Sequence, residues 1–153
     1  MRKILLLLFC SIPILSFAQN KKNPADNIVG LWLSSEKNGV IEIYKRGAKF
    51  YGKLAWIKDS LDKKTKLRVK DKENPDPKLR DRKICGLEIL TSFYYVGENN
   101  YKEGNIYDPE SGKTYSCKMK LANDGKTLDL RGYLGVSLLG RTEVWTRIEK
   151  LPK

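Results

Sequence analysis

The chain has 153 residues, with 30 Lys and Arg against 18 Asp and Glu and a formal net charge of +12. Histidine is absent, which excludes Ser-His-Asp and Cys-His nucleophile systems, a histidine general base, and imidazole-ligated zinc or haem. A charged fraction of 31% beside 41% apolar residues argues against wholesale disorder, and the length suits one domain with a real core.

Residues 1–18 read as a cleavable signal peptide. Met1-Arg2-Lys3 is a positive n-region, the run from Ile4 to Phe17 is apolar, and Ser16 and Ala18 place small residues before a cut at Gln19. A retained anchor is the competing reading, but Pro13 interrupts a run already shorter than the ~20 residues a spanning helix needs. A lipoprotein cut at Cys10 would need a small residue where Phe9 stands. The expectation is an exported protein, periplasmic or extracellular, with no membrane span after cleavage. Loss of Arg2 and Lys3 would leave +10 on 135 residues.

Residues 19–28 form a polar N-terminal segment, and 29–149 read as a single domain of strands and turns. A first strand opens at Trp32. Val40 to Arg46 is a second, ended by a turn at Gly47. Lys49 to Ile57 is a third, whose strict alternation would put Phe50, Leu54 and Trp56 on one face. Leu87 to Val96 and Asn100 to Tyr107 flank the Gly97-Glu98-Asn99 turn. Tyr115 to Leu121 gives the cleanest alternation, with Tyr115, Cys117, Met119 and Leu121 inward. After the Asn123-Asp124-Gly125 turn come Leu128 and Leu130, and Thr142 to Glu149 closes the chain. The prediction is an all-β fold: an antiparallel up-and-down β-barrel of about eight strands, since closure removes exposed edges. An open sandwich is the alternative.

Residues 58–83 break the pattern. They hold 11 Lys and Arg and 6 Asp and Glu, half of the mature excess charge, and Pro75 and Pro77 prevent a regular element. A short strand at Thr65 to Val69 and a basic patch at Lys63-Lys64-Thr65-Lys66 are candidate features of this long loop.

Carboxylates are the abundant acid/base groups: Asp71, Asp76, Asp81, Glu88, Asp108 and Glu143. Asp76 and Asp108 form the candidate catalytic pair of an enzyme reading, although each neighbours a proline at a turn, where a short carboxylate usually caps backbone N–H groups. Cys85 and Cys117 are an even pair after export, so a disulfide competes with two buried thiols. Asp108 to Lys113 lacks the ligand spacing of a calcium loop, and no phosphate-binding glycine loop occurs; no metal or cofactor is expected. Dispersed Lys and Arg in an exported chain point away from nucleic acid and toward an anionic envelope component. Trp32, Trp56, Trp145, Phe93 and Tyr95 either line a ligand cavity or fill the interior.

Several stretches occur in an order that resembles a known family: Gly30-Leu31-Trp32, Tyr51-Gly52-Lys53-Leu54, Asp71-Lys72-Glu73-Asn74-Pro75-Asp76, Gly86 to Leu90, Gly104 to Tyr115, Leu130-Arg131-Gly132-Tyr133 and Gly140 to Arg147. The chain resembles the DUF2147 family of small exported bacterial proteins of unknown function. The resemblance implies a calycin or lipocalin-like barrel, in which Trp32 of the Gly30-x-Trp32 opening packs across the closed end under a late-strand arginine. Arg147 is the first choice for that structural partner and Arg131 the second. Asn105 stands where a more typical member carries glycine.

The leading expectation is an exported barrel holding a small apolar or amphipathic ligand, with Trp56, Phe93 and Tyr95 as wall residues and Arg141 near the mouth. A carboxylate-dependent envelope enzyme acting on saccharide or peptidoglycan, and a structural module binding an anionic surface polymer, are the alternatives.

Overall fold

The computed structural model describes residues 23–61, 69–135 and 140–152. Eight strands follow in chain order: β1 (Gly30–Leu33), β2 (Gly39–Arg46), β3 (Lys49–Ile57), β4 (Glu88–Tyr95), β5 (Asn100–Asp108), β6 (Lys113–Leu121), β7 (Thr127–Tyr133) and β8 (Arg141–Ile148). Each pairs antiparallel with the next, and β8 pairs with β1 to close the barrel. The up-and-down barrel expected from alternation is therefore the fold, and the sandwich is not. The Tyr115–Leu121 alternation holds: Cys117, Met119 and Leu121 are all buried.

Bulges let eight short strands coil into a closed barrel. Ser92 and Glu103 adopt φ of 64° and 62° beside the register shifts of β3–β4 and β5–β6. A third irregularity, between Val40 and Ile41 on β2, leaves Ala55 of β3 without an opposite partner.

One end of the barrel is plugged. Pro24–Ile28 forms a 3-10 helix begun by Asn23, whose Oδ1 accepts from the Ala25 N–H at 3.0 Å. Asn followed by Pro at the first helical position is a start signal, so residues 23–28 of the polar N-terminal segment carry a regular element. Ile28 is fully buried; its carbonyl accepts from Trp32 Nε1 at 2.9 Å, and the Ala25 carbonyl accepts from the Tyr101 hydroxyl at 2.8 Å.

Arg147 seals this end. Its guanidinium lies 4.3 Å from the Trp32 ring centroid and donates to the carbonyls of Gly125 (2.6 Å), Val29 (2.9 Å) and Asn27. Gly30 is glycine for two reasons: its φ is +139°, and a Cβ there would sit 2.7 Å from Arg147 Nη1. Arg147 is thus the partner of Trp32. Arg131, the second choice, instead donates from Nη1 to Thr142 Oγ1 at 2.9 Å across β7–β8.

Above the plug the interior is solid. Phe50 meets Tyr101 edge-on at 5.3 Å, Tyr95 tilts against Tyr101 at 5.2 Å, and Phe93 is fully buried opposite Phe50. The Phe93 ring lies over Gly104, where a Cβ would fall 2.4 Å from ring carbons. No helix among the described residues is long and apolar enough to cross a membrane.

Candidate functional site

The upper half of the same barrel is hollow. Inward positions there include Gly132 on β7 opposite Cys117 on β6, beside the rings of Tyr115 and Trp145. The result is a cavity of about 700 Å³, walled by Leu54, Ile57, Ile89, Ile106 and Leu130 and lined also by Trp145. It opens at the end where β1–β2, β3–β4, β5–β6 and β7–β8 are joined. Aliphatic side chains inside and a polar, charged rim including Glu36, Asp59, Asp108, Glu110 and Arg141 give a cavity in the size range of small-molecule sites.

The described part of the long β3–β4 connection lies at one side of the mouth and contributes Val69 and Ile84 to the lining. It is held by a buried polar knot. Asp71 is fully buried, and its carboxylate accepts from the Tyr107 hydroxyl at 2.6 Å, Asn74 Nδ2 at 2.8 Å and Arg82 Nε at 2.8 Å. Asn74 Oδ1 accepts from the Asp76 N–H, and Arg80 Nε donates to the Asn74 carbonyl. Burial by itself would raise the Asp71 carboxyl, but the hydrogen bonds from Tyr107, Asn74 and Arg82 outweigh it and hold the group below its ordinary value. Tyr107 shifts the other way, raised by burial and by its bond to Asp71. The loop also presses on the β5–β6 hairpin: a Cβ on Gly112 would lie 1.8 Å from the Glu73 carbonyl oxygen.

Polar chemistry inside the cavity centres on β8. Glu143 Oε2 accepts from Trp145 Nε1 at 3.2 Å, and Arg141 Nη2 stands 3.7 Å from Glu143 Oε1 and 3.8 Å from Glu36 Oε1. Cys117 is fully buried, and burial pushes its thiol up to about 12. It is therefore a protonated, inert wall group at neutral pH. Among the described residues no group of three or more Cys, Asp or Glu side chains is placed to hold a metal ion.

The profile of the family described as "Uncharacterized protein conserved in bacteria (DUF2147)" matches residues 30–147. The chain belongs to the DUF2147 family. A solved structure described as "Protein HP1028 from the human pathogen Helicobacter pylori belongs to the lipocalin family" is 29% identical, with a TM-score of 0.69 over 80% of this chain and 83% of that one. No protein of curated function matches the chain. This DUF2147 member thus has a lipocalin-like barrel.

Of the wall residues expected from sequence, Arg141 lines the mouth of the DUF2147 cavity and the other three do not. Phe93 and Tyr95 belong to the packed lower half. Trp56 is turned away because Ala55 is an extra residue: Leu54 pairs with Ile41 and Ile57 with Gly39, while Trp56 falls opposite Val40. One inserted residue flips every later side chain to the other face.

The candidate catalytic pair does not form a site. Asp76 Oδ1 caps the 3-10 helix Pro77–Leu79 by accepting from the Lys78 N–H at 2.9 Å. Asp108 holds its hairpin, accepting from the Glu110 N–H at 3.0 Å and from the Ser111 hydroxyl at 2.5 Å. Only Asp108 of the two lines the cavity.

The candidate disulfide is not formed either. Both cysteines are free; Cys117 faces the cavity, whereas Cys85 Sγ sits 3.6 Å from the Ala55 carbonyl. The Lys63–Lys66 patch lies outside the described residues, as does the candidate Thr65–Val69 strand apart from Val69, which is in no strand.

Two features of the site escaped sequence reasoning. Glu143 was one acid among six, and no local signal distinguishes an inward carboxylate on β8. Asp71 does have a signal, the dense Asp71-Lys72-Glu73-Asn74-Pro75-Asp76 run, in which a buried carboxylate is tied by its own downstream asparagine.

Proposed function

We propose that this chain is an exported binding protein that holds one small apolar or amphipathic molecule in the upper half of its barrel. The observation that carries the reading is the division of the interior: a floor packed with aromatic rings beneath a cavity of about 700 Å³ with aliphatic side chains inside and a polar rim. A barrel meant only as a rigid module would extend the packed lower layer to the top. The leader at residues 1–18 supports export to the periplasm or beyond. The likeness to a barrel described as belonging to the lipocalin family supports carriage of a ligand and weighs against catalysis, as do the turn-capping roles of Asp76 and Asp108.

The test uses a neutral fluorescent apolar probe, N-phenyl-1-naphthylamine, titrated into the wild type and Gly132→Trp. Gly132 faces the cavity; a Cβ there meets nothing nearer than 3.6 Å and its φ is not in the left-handed region. The new ring therefore enters the cavity without straining the backbone. Saturable binding at one probe per chain, weakened at least about tenfold (roughly 1.4 kcal/mol) by the substitution, is the expected result. Absence of saturable binding, or equal affinity in the variant, would contradict the reading.

A further inference from the structure

The charge lining the cavity runs against the charge of the chain. Lys and Arg exceed Asp and Glu by 30 to 18 in the sequence, yet the described lining residues include Glu36, Asp59, Asp108, Glu110 and Glu143 against Lys58 and Arg141. Glu36, Asp59 and Glu110 belong to the rim turns, and Asp108 ends β5 where it enters its hairpin. Glu143 stands deeper, within β8, opposite Leu130 and two residues from Trp145. Its partners are few and long: the indole N–H at 3.2 Å and Arg141 at 3.7 Å. A carboxylate has about four acceptor positions, so capacity is left on the side that faces the cavity. Arg141 does not cancel this charge, because it is exposed at the mouth and shared with Glu36.

We propose that Glu143 is the headgroup anchor of the cavity and selects an amphipath bearing a protonated amine, with an aliphatic body along Leu54, Ile106 and Leu130, over a fatty carboxylate. This rests on the ligand-pocket reading above and adds the class of ligand. An ammonium donating to Glu143, whose side chain is 36% exposed, makes a charge-assisted hydrogen bond that solvent screens in part. A ligand carboxylate would bring like charge against Glu143 beneath rim residues that, among those described, are mainly acidic. The basic outer surface works in the opposite direction, attracting anions non-specifically, so a preference for the amine would come from the cavity.

The test is isothermal titration of the full mature chain with decylamine, decan-1-ol and decanoate near pH 7 in about 0.15 M salt. The wild type is expected to bind decylamine at least about tenfold more tightly than decanoate. Glu143→Gln is expected to lose about tenfold for decylamine and nothing for decanol. Arg141→Gln, which removes the competing cation, is expected to tighten decylamine severalfold. If Glu143→Gln fails to fold, the Arg141→Gln result decides, and unchanged or weaker decylamine binding overturns the proposal. Equal binding of amine and carboxylate, or an unaltered ratio in Glu143→Gln, overturns it while leaving the pocket intact. If none of the three compounds binds, the pocket reading falls with it.

Discussion

Asp71→Asn isolates the knot that ties the long loop to the barrel mouth. The carboxylate takes three hydrogen bonds, Oδ1 from Tyr107 and Oδ2 from both Asn74 and Arg82. Asparagine keeps the shape but loses the charge, and its amide nitrogen must face a group that now donates. A hydrogen bond to a charged group contributes about 1.5–3 kcal/mol and a neutral one about 1. Arg82 is half-exposed, so its share is discounted for solvent screening. A loss of about 2–3 kcal/mol at pH 7 follows, or a Tm lowered by roughly 6–12 °C. The pH dependence has a fixed sign. Because the folded Asp71 group lies below its ordinary value, its contribution is complete above roughly pH 4 and fades as pH falls through the lower folded value. Thermal melts of wild type and variant across pH 2–7 should therefore differ most at neutral pH and converge in acid. A difference under about 0.5 kcal/mol at pH 7, or one independent of pH, would refute the reasoning.

Arg147→Lys keeps the charge at the plugged end but cannot stack on Trp32 and reach the carbonyls of Gly125, Val29 and Asn27 together. A loss of about 2 kcal/mol in urea unfolding at constant m is expected; a change within 0.5 kcal/mol would show that charge alone suffices there. For the cysteines, the chain purified without reductant should carry both thiols, and iodoacetamide at pH 8 should leave Cys117 unmodified until urea unfolds the chain, since burial holds its thiol near 12. Peptide mass spectrometry reads both, and a Cys85–Cys117 cross-link would contradict the placement.

The barrel was legible because one face of nearly every strand is buried, so period-two alternation is imposed on the sequence by the core. Tyr115 to Leu121 and the Asn123-Asp124-Gly125 turn carry that signal openly. The Trp32–Arg147 pair was legible through the resemblance alone, since 115 residues separate the partners. The cavity was not legible, for two reasons. Alternation marks which residues point inward but not their height in the barrel, so Phe93 and Tyr95 carry the same pattern as true wall residues while filling the floor. It also fails wherever a bulge occurs, and nothing in Lys53-Leu54-Ala55-Trp56 marks Ala55 as the inserted residue. The 58–83 loop hid its anchor in a third way: among six acidic residues in a charge-dense loop, charge alone does not mark Asp71, yet it is among the most deeply buried of the described side chains, because charge matched within the loop can be taken inside.

The most direct test of a hollow upper half above a filled lower half is a crystal structure of the chain soaked with N-phenyl-1-naphthylamine. The account predicts one ordered probe between Leu54, Ile106 and Leu130, above Trp145, with Phe50, Phe93 and Tyr101 in mutual contact beneath it. A barrel closed by its own side chains from Trp32 to Tyr133, with the probe only on the outer surface, would contradict it.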